Sequence, residues 1–249
     1  MPDSPRPTLL VFTLGPGREH ARRRWLRDGF ARLERELHER CLEQVLSAGR
    51  EAGCTLRVCS PGGERLAPDA ELDCQAEPGF GRRLLGAMRR ASAVAAGPLI
   101  VVGTDSPGLD SGLLEQALEM LESDPSAVVL GPATDGGIYL LAAARPVAAE
   151  LVHVVWCNAG TLDSLVEALR AAGRPVRLLP RLNDLDRRRD LERWVAGRFS
   201  TPIAVGWSDL VAALRVALVR LAYLVGVPSP SPALAPAWQR SPLGRAPPR

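Results

Sequence analysis

The sequence predicts an α/β domain: a mostly parallel sheet with helices on both faces. Three observations carry that expectation. Short apolar runs at 8–13, 55–60, 99–102, 127–130 and 176–179 alternate with longer stretches whose apolar residues recur at helical spacing. The runs at 99–102 and 127–130 are apolar throughout, as strands buried on both faces are. Each of these two ends in a small polar loop with an aspartate, Thr104-Asp105-Ser106-Pro107 and Gly131-Pro132-Ala133-Thr134-Asp135-Gly136-Gly137. Ligands of open α/β sheets bind outside the carboxyl ends of the strands, which makes Asp105 and Asp135 the first candidates for a site.

In chain order, the first strand (8–13) follows MPDSPRP, which lacks the charged-then-apolar order of a signal peptide. It runs into Gly15-Pro16-Gly17-Arg18-Glu19-His20-Ala21-Arg22, a Gly-rich segment that could bring backbone N–H groups and guanidinium groups to a phosphate, or could simply turn the chain. A long helix is expected over 22–46, with Leu26, Phe30, Leu33, Leu37, Leu42 and Val45 as its buried stripe and Gly49 or Gly53 as its stop. A second strand at 55–60 closes on Pro61-Gly62-Gly63, and 72–75 offers a short third. The next helix opens at Gly79 and reaches about 96, with Leu84, Leu85, Met88 and Ala91 inward. Its first turn holds Arg82 and Arg83, where the helix dipole disfavours cations; either an anion lies nearby or the pair is solvated.

Asp110 is placed to cap the helix that follows the Asp105 loop. Strands are then expected at 136–143 and 151–156, after which Cys157-Asn158-Ala159-Gly160 leads to a helix capped by Thr161 and ended by Gly173. A last strand at 176–179 passes through Leu182-Asn183-Asp184-Leu185-Asp186 to a final helix with Leu191, Trp194 and Val195 inward. Asp186 is placed either to cap that helix or to serve a site. The chain thus divides into an α/β domain (1–198), an apolar helical appendage (199–226) and a proline-rich tail expected to be disordered (227–249). The appendage could dock on the domain, pair with a second copy to give a homodimer, or lie at a membrane surface; Asp209, Arg215 and Arg220 make it a poor span.

Composition narrows the function. All 31 basic residues are arginine and the net charge is only +3, with the arginine runs broken by acids. Together with 4% aromatic content this argues against a nucleic-acid partner. Five cysteines without a C-x-x-C pair suggest neither a zinc site nor a disulfide framework, and reduced thiols fit a cytoplasmic protein.

At GTDSPGL, GPATDGGIYLL and NDLDRRRDLERW the sequence resembles the DUF2064 family of GT-A-fold glycosyltransferase-like proteins, the type found in arsenosugar biosynthesis. The resemblance covers roughly residues 8–195. It implies a GT-A sheet and a transferase that moves a sugar from a nucleotide-sugar to a small-molecule acceptor with Mg²⁺ or Mn²⁺. It also implies catalytic roles for Asp105 and Asp135, and metal ligation by Asp105, Asp184 and Asp186. Gly17, Arg18, Arg22, Arg83, Thr104, Gly136 and Gly137 would then line the nucleotide-sugar site. Where the family reads P-G-R-V-K-T-R-L, this chain has Pro16-Gly17-Arg18-Glu19-His20-Ala21-Arg22-Arg23; where it reads P-W-S-T, the chain has Val155-Trp156-Cys157-Asn158. Arg187-Arg188-Arg189 replaces T-P-E in the last segment. These departures leave two alternatives: a non-catalytic relative that binds a nucleotide or partner, and a nucleotidyltransferase acting on a small phosphorylated acid.

Overall fold

The computed structural model describes residues 5–23, 25–26, 28–199 and 206–224. The expected disordered tail at 227–249 lies outside them. Seven strands form one sheet in the order β3-β2-β1-β4-β6-β5-β7. They are β1 (Thr8–Phe12), β2 (Thr55–Ser60), β3 (Glu71–Cys74), β4 (Leu99–Val102), β5 (Val128–Pro132), β6 (Ile138–Ala143) and β7 (Val176–Leu178). Pairing is parallel except along β6, which runs antiparallel to both β4 and β5. The reversal has a local cause: Thr134 to Gly137 turn the chain back beside β5, too few residues for the crossover a parallel neighbour needs.

Seven helices are described: α1 (Pro16–Arg23), α2 (Ala31–Glu51), α3 (Phe80–Val94), α4 (Ser111–Ser123), α5 (Thr161–Ala171), α6 (Arg188–Val195) and α7 (Ser208–Leu224). One core joins α2 and α4 to the sheet through Leu42, Val45, Leu46, Leu114 and Leu121 against Leu9, Val11, Ile100 and Leu140. The opposite face is covered by α3 and α5, through Leu84, Met88, Leu165 and Leu169 against Leu10, Val101 and Leu141. β1 lies between β2 and β4, so the strand order reverses there and opens a crevice at the carboxyl edge.

Several local expectations are corrected. The helix expected over 22–46 is two helices, because α1 begins at Pro16 and a 3-10 turn at Asp28–Phe30 separates it from α2. Thus the segment read as a phosphate loop is largely helical. Gly49 does not stop α2; a side chain there would stand 2.5 Å from Leu9 Cδ2, so glycine lets the helix press onto β1. Gly53, at φ +69°, follows the helix end. The expected strand at 151–156 is a series of turns packed through Leu151 and Val154. Thr161 is the first residue of α5 and its hydroxyl bonds the Val155 and Asn158 carbonyls, so it braces the preceding loop while Gly160 takes the cap position. Asp110 does cap α4, accepting from Leu113 N–H at 3.0 Å.

The appendage helix α7 docks on the domain. Leu210, Val211, Leu214, Leu218 and Leu221 pack with Leu37 and Cys41 of α2 and with Leu191 and Val195 of α6. The Trp194 and Trp207 rings meet edge to face at 5.3 Å. No helix among the described residues is long and apolar enough to cross a membrane.

Candidate functional site

Four aspartates converge on the carboxyl edge. Asp105 follows β4 and Asp135 follows β5. Beyond β7 the chain stays extended along the end of β5, with Leu179 N–H bonded to the Leu130 carbonyl and Leu182 N–H to that of Pro132. It then crosses to the β4 loop, where Leu185 N–H reaches the Asp105 carbonyl at 2.8 Å. In extended chain, residues two apart share a face, so Asp184 and Asp186 are delivered together between Asp135 and Asp105. Carboxylate oxygens of Asp135, Asp184 and Asp186 all lie within 4.8 Å of one another.

That grouping fits a hard divalent ion, whose oxygen ligands stand about 3 to 4 Å apart at Mg²⁺ bond lengths. The charge pattern fits as well. Burial pushes the Asp184 carboxyl up to about 7; a hydrogen bond from the Ser106 hydroxyl opposes this, and Asp135, Asp186 and Asp105 add to it. Burial also holds the Asp105 carboxyl above its ordinary range against the pull of Arg23, with Glu19 and Asp186 reinforcing the rise. Like charges gathered this way are relieved by a cation.

One cation is already present. The Arg23 side chain is 3% exposed, and its guanidinium donates to Asp105 Oδ2 at 2.5 Å, to Asp186 Oδ1 at 2.9 Å and to Glu19 Oε2 at 3.1 Å. It also donates to the Leu185 carbonyl and lies 5.3 Å from the centre of the Trp25 ring. Sequence reasoning missed Arg23 and Glu19, which sit in a run that reads as a solvated charged face. Asp186 does not cap α6; Arg187 takes the cap position, with its N–H bonded to Asp190 Oδ2 at 2.9 Å.

The remaining sequence candidates are dispersed around this centre. Thr104 is buried, its hydroxyl 3.3 Å from that of Thr13, which braces β1 against β4. Gly17 is exposed in the first turn of α1. Arg18 reaches Glu64 at 3.6 Å and Arg22 reaches Glu19 at 3.5 Å, both with side chains more than half exposed. His20 turns to the fully buried Glu34 carboxylate at 3.1 Å. Glu34 also accepts the Trp25 N–H at 2.5 Å, so it fixes the chain between α1 and α2. Gly136, at φ +93°, has its side-chain space filled by the Ala159 carbonyl, which a Cβ would approach to 2.0 Å. Its own carbonyl accepts from Leu162 N–H. Gly136 therefore seats the 157–160 loop, while Gly137 N–H closes an Asx turn on Asp135 Oδ1 at 2.8 Å. That loop carries Cys157 at φ +61°, an uncommon conformation for a non-glycine residue.

Beside the loop, a cleft of about 770 Å³ is lined by Glu77, Gly79, Phe80, Arg82, Arg89 and Trp156, among others. Its walls are the start of α3 and the turns after β6. Arg83 lies in the same first turn with its Nε buried and without a hydrogen-bond partner.

Residues 44–158 match the family described as an uncharacterized protein conserved in bacteria (DUF2064), the family that GTDSPGL and GPATDGGIYLL resemble. No curated protein sequence matches the chain. Among solved structures, a protein of Desulfovibrio desulfuricans G20, provisionally assigned as a nucleotide-diphospho-sugar transferase, superposes with a TM-score of 0.67. The two are 23% identical over 84% of this chain and 97% of that one. Rv0371c of Mycobacterium tuberculosis H37Rv is 17% identical over 76% of this chain and 97% of its own, with a TM-score of 0.50. At these identities the likeness concerns the fold, and the fold is of the GT-A, nucleotide-diphospho-sugar transferase-like kind.

Proposed function

We propose that the chain is a GT-A-type glycosyltransferase that takes a nucleotide-sugar donor and a small-molecule acceptor with Mg²⁺ or Mn²⁺, in the cytoplasm. The observation that carries this reading is the group of three carboxylates, Asp135, Asp184 and Asp186, at the carboxyl edge of a sheet with this topology. A bound divalent ion supplies charge neutralisation for a departing nucleotide diphosphate. The chain's own part is to hold and orient. Asp135, Asp184 and Asp186 would hold the ion, and Asp105 anchors the 183–186 segment through its carbonyl and through Arg23. Arg22 and Arg83, whose charges both act on the Cys157 thiol, would offer guanidinium groups to the diphosphate, and the cleft at Phe80 and Trp156 would receive the acceptor. In the transfer, the bond from the anomeric carbon to the diphosphate oxygen breaks, a bond from that carbon to the acceptor oxygen forms, and the acceptor's hydroxyl proton passes to water or to the departing nucleoside diphosphate.

Titration calorimetry against a panel of nucleoside diphosphates and nucleotide-sugars, with and without Mn²⁺, tests the reading. Metal-dependent binding that disappears in Asp184→Asn supports it; no binding of any nucleotide overturns it. One observation favours a second reading, a nucleotide-binding protein without catalysis: His20 is engaged by Glu34 rather than free for a phosphate. Binding without turnover of any donor and acceptor pair would decide for that. Release of pyrophosphate from a nucleoside triphosphate would instead identify nucleotidyl transfer.

A further inference from the structure

Arg23 is a buried cation in the middle of an acidic site, and its geometry is over-determined. Nη2 is on Asp105, Nη1 is shared between Asp186 and the Leu185 carbonyl, Nε is on Glu19, and the Trp25 ring lies against the guanidinium. Trp25 is itself fastened to the same segment, its Nε1–H donating to the Asp186 carbonyl at 3.1 Å. The guanidinium therefore bridges the carboxylates of Asp105 and Asp186 from a fixed position, as an ion coordinated by both would. The other half of the acidic group has no such partner. Among the described residues, Asp184 accepts from the Ser106 hydroxyl and Asp135 from Gly137 N–H, and neither is in an ion pair.

We infer that Arg23 is a resident cation taking the electrostatic place of a metal ion between Asp105 and Asp186. Asp105 is then a positioning group rather than a metal ligand, and the site accepts a single divalent ion, at Asp135, Asp184 and Asp186. Removing the guanidinium while keeping a side chain of similar length leaves Asp105 and Asp186 facing each other without a cation, which creates a second place for one. The inference rests on the metal-dependent reading of the site given above, but it concerns how many ions bind and where.

The test is Mn²⁺ binding to the full chain, followed by electron paramagnetic resonance and calorimetry, which need no turnover. Wild type is expected to bind one Mn²⁺. Asp184→Asn should weaken it at least about tenfold and Asp105→Asn less than about threefold, the former being the scale for losing a group on which metal affinity depends. Arg23→Met should bind a second Mn²⁺, and Arg23→Lys should restore the single one. Two ions in the wild type, or Asp105→Asn weakening Mn²⁺ as much as Asp184→Asn, overturns the inference and leaves the metal-dependent reading standing. Mn²⁺ bound by Arg23→Met but not by wild type overturns both, since the wild type would then hold no ion at Asp135, Asp184 and Asp186. No Mn²⁺ bound by either sinks both. If Arg23→Met shows no cooperative unfolding transition, the comparison of Asp105→Asn with Asp184→Asn in the wild-type background decides alone.

Discussion

Asp184 should affect stability with opposite signs in the absence and presence of a divalent ion. Its folded carboxyl is pushed up to about 7, well above its unfolded value, by burial and by three neighbouring carboxylates. The native state therefore keeps a proton that the unfolded chain has released, and metal-free stability falls as pH rises from about 4 to 7. In Asp184→Asn this loss disappears, so at pH 8 without metal the variant should be more stable by on the order of 1 kcal/mol after solvent screening. Adding Mn²⁺ should raise the melting temperature of wild type and not of the variant, and thermal melts under the four conditions check both signs. His38 works the other way. Burial first, then Arg23, His20 and Arg22, push its imidazole down to about 3, and its Nε2 is buried without a partner beside the Trp25 ring. The unfolded chain gains the proton first, so stability is lost as pH falls below about 6.5, by up to about 1.4 kcal/mol per pH unit. His38→Phe should flatten that acid limb in denaturant titrations between pH 6.5 and 4; an unchanged slope would show that other groups carry it. Asp105 and Asp135 were legible in the sequence because each follows a recognisable strand, whereas Asp184 and Asp186 were marked by the family resemblance. Arg23, Glu19 and Glu34 were not legible, since nothing in a run of charges marks which member the tertiary structure will bury.

At the scale of elements, legibility followed the strength of the apolar pattern. The runs that became β1, β2 and β4 were read to within a residue or two, because each is short and rich in apolar residues, broken in its interior only by Arg57 of β2, and bounded by proline, glycine or polar turns. The division of α1 from α2 was hidden because Leu26 and Phe30 continue the spacing of Leu33 and Leu37, while the break depends on Glu34 reaching back to the Trp25 N–H. The turns at 151–156 read as a strand because the run Leu-Val-His-Val-Val-Trp is nearly all apolar; in the structure Leu151 and Val154 are buried, three apart, while Val152 and Val155 are exposed. Of the two glycines offered as the helix stop, Gly53 takes that place, and Gly49 is inside the helix for a reason that only its partner surface shows. Gly49→Ala would place a methyl group 2.5 Å from Leu9 and 2.7 Å from Leu56, and it should cost about 1–3 kcal/mol by overpacking despite alanine's better helix propensity. Urea unfolding distinguishes the two effects by sign. At Gly53, φ +69° with open space around the position, alanine should also destabilise, there through backbone strain alone.

For the whole molecule, the placement of the site follows from topology: the segments after β1, β4, β5 and β7 meet at the carboxyl edge of the sheet. That much was readable, since the alternation of strands and helices implies such an edge and the aspartates mark it. What the sequence left open was where α7 goes, because an apolar stripe does not name the surface it covers. In the structure that surface is the outer side of α2 and α6, and Arg215 fastens the helix by donating to the Val195 carbonyl at 2.5 Å. The contact closes over Trp25, Leu37 and Leu185, of which Trp25 and Leu185 meet Arg23 and Trp25 also bonds the Asp186 carbonyl. Trp207, Leu210, Val211, Leu214, Leu218 and Leu221 are each at most 7% exposed, and burying such side chains contributes about 1.5–3 kcal/mol apiece. The gross sum is comparable to the entire stability of a typical domain, about 5–15 kcal/mol. A chain ending after residue 199 should therefore lose most of its cooperative unfolding transition and bind a hydrophobic dye, and Leu214→Ala, a milder lesion at a fully buried position, should cost about 2–5 kcal/mol. If α7 were an independent appendage, the truncated chain would instead melt as wild type does and bind Mn²⁺ unchanged. The expected result is that both properties are lost together, because one layer of side chains supports α7 on its outer side and the acidic site on its inner one.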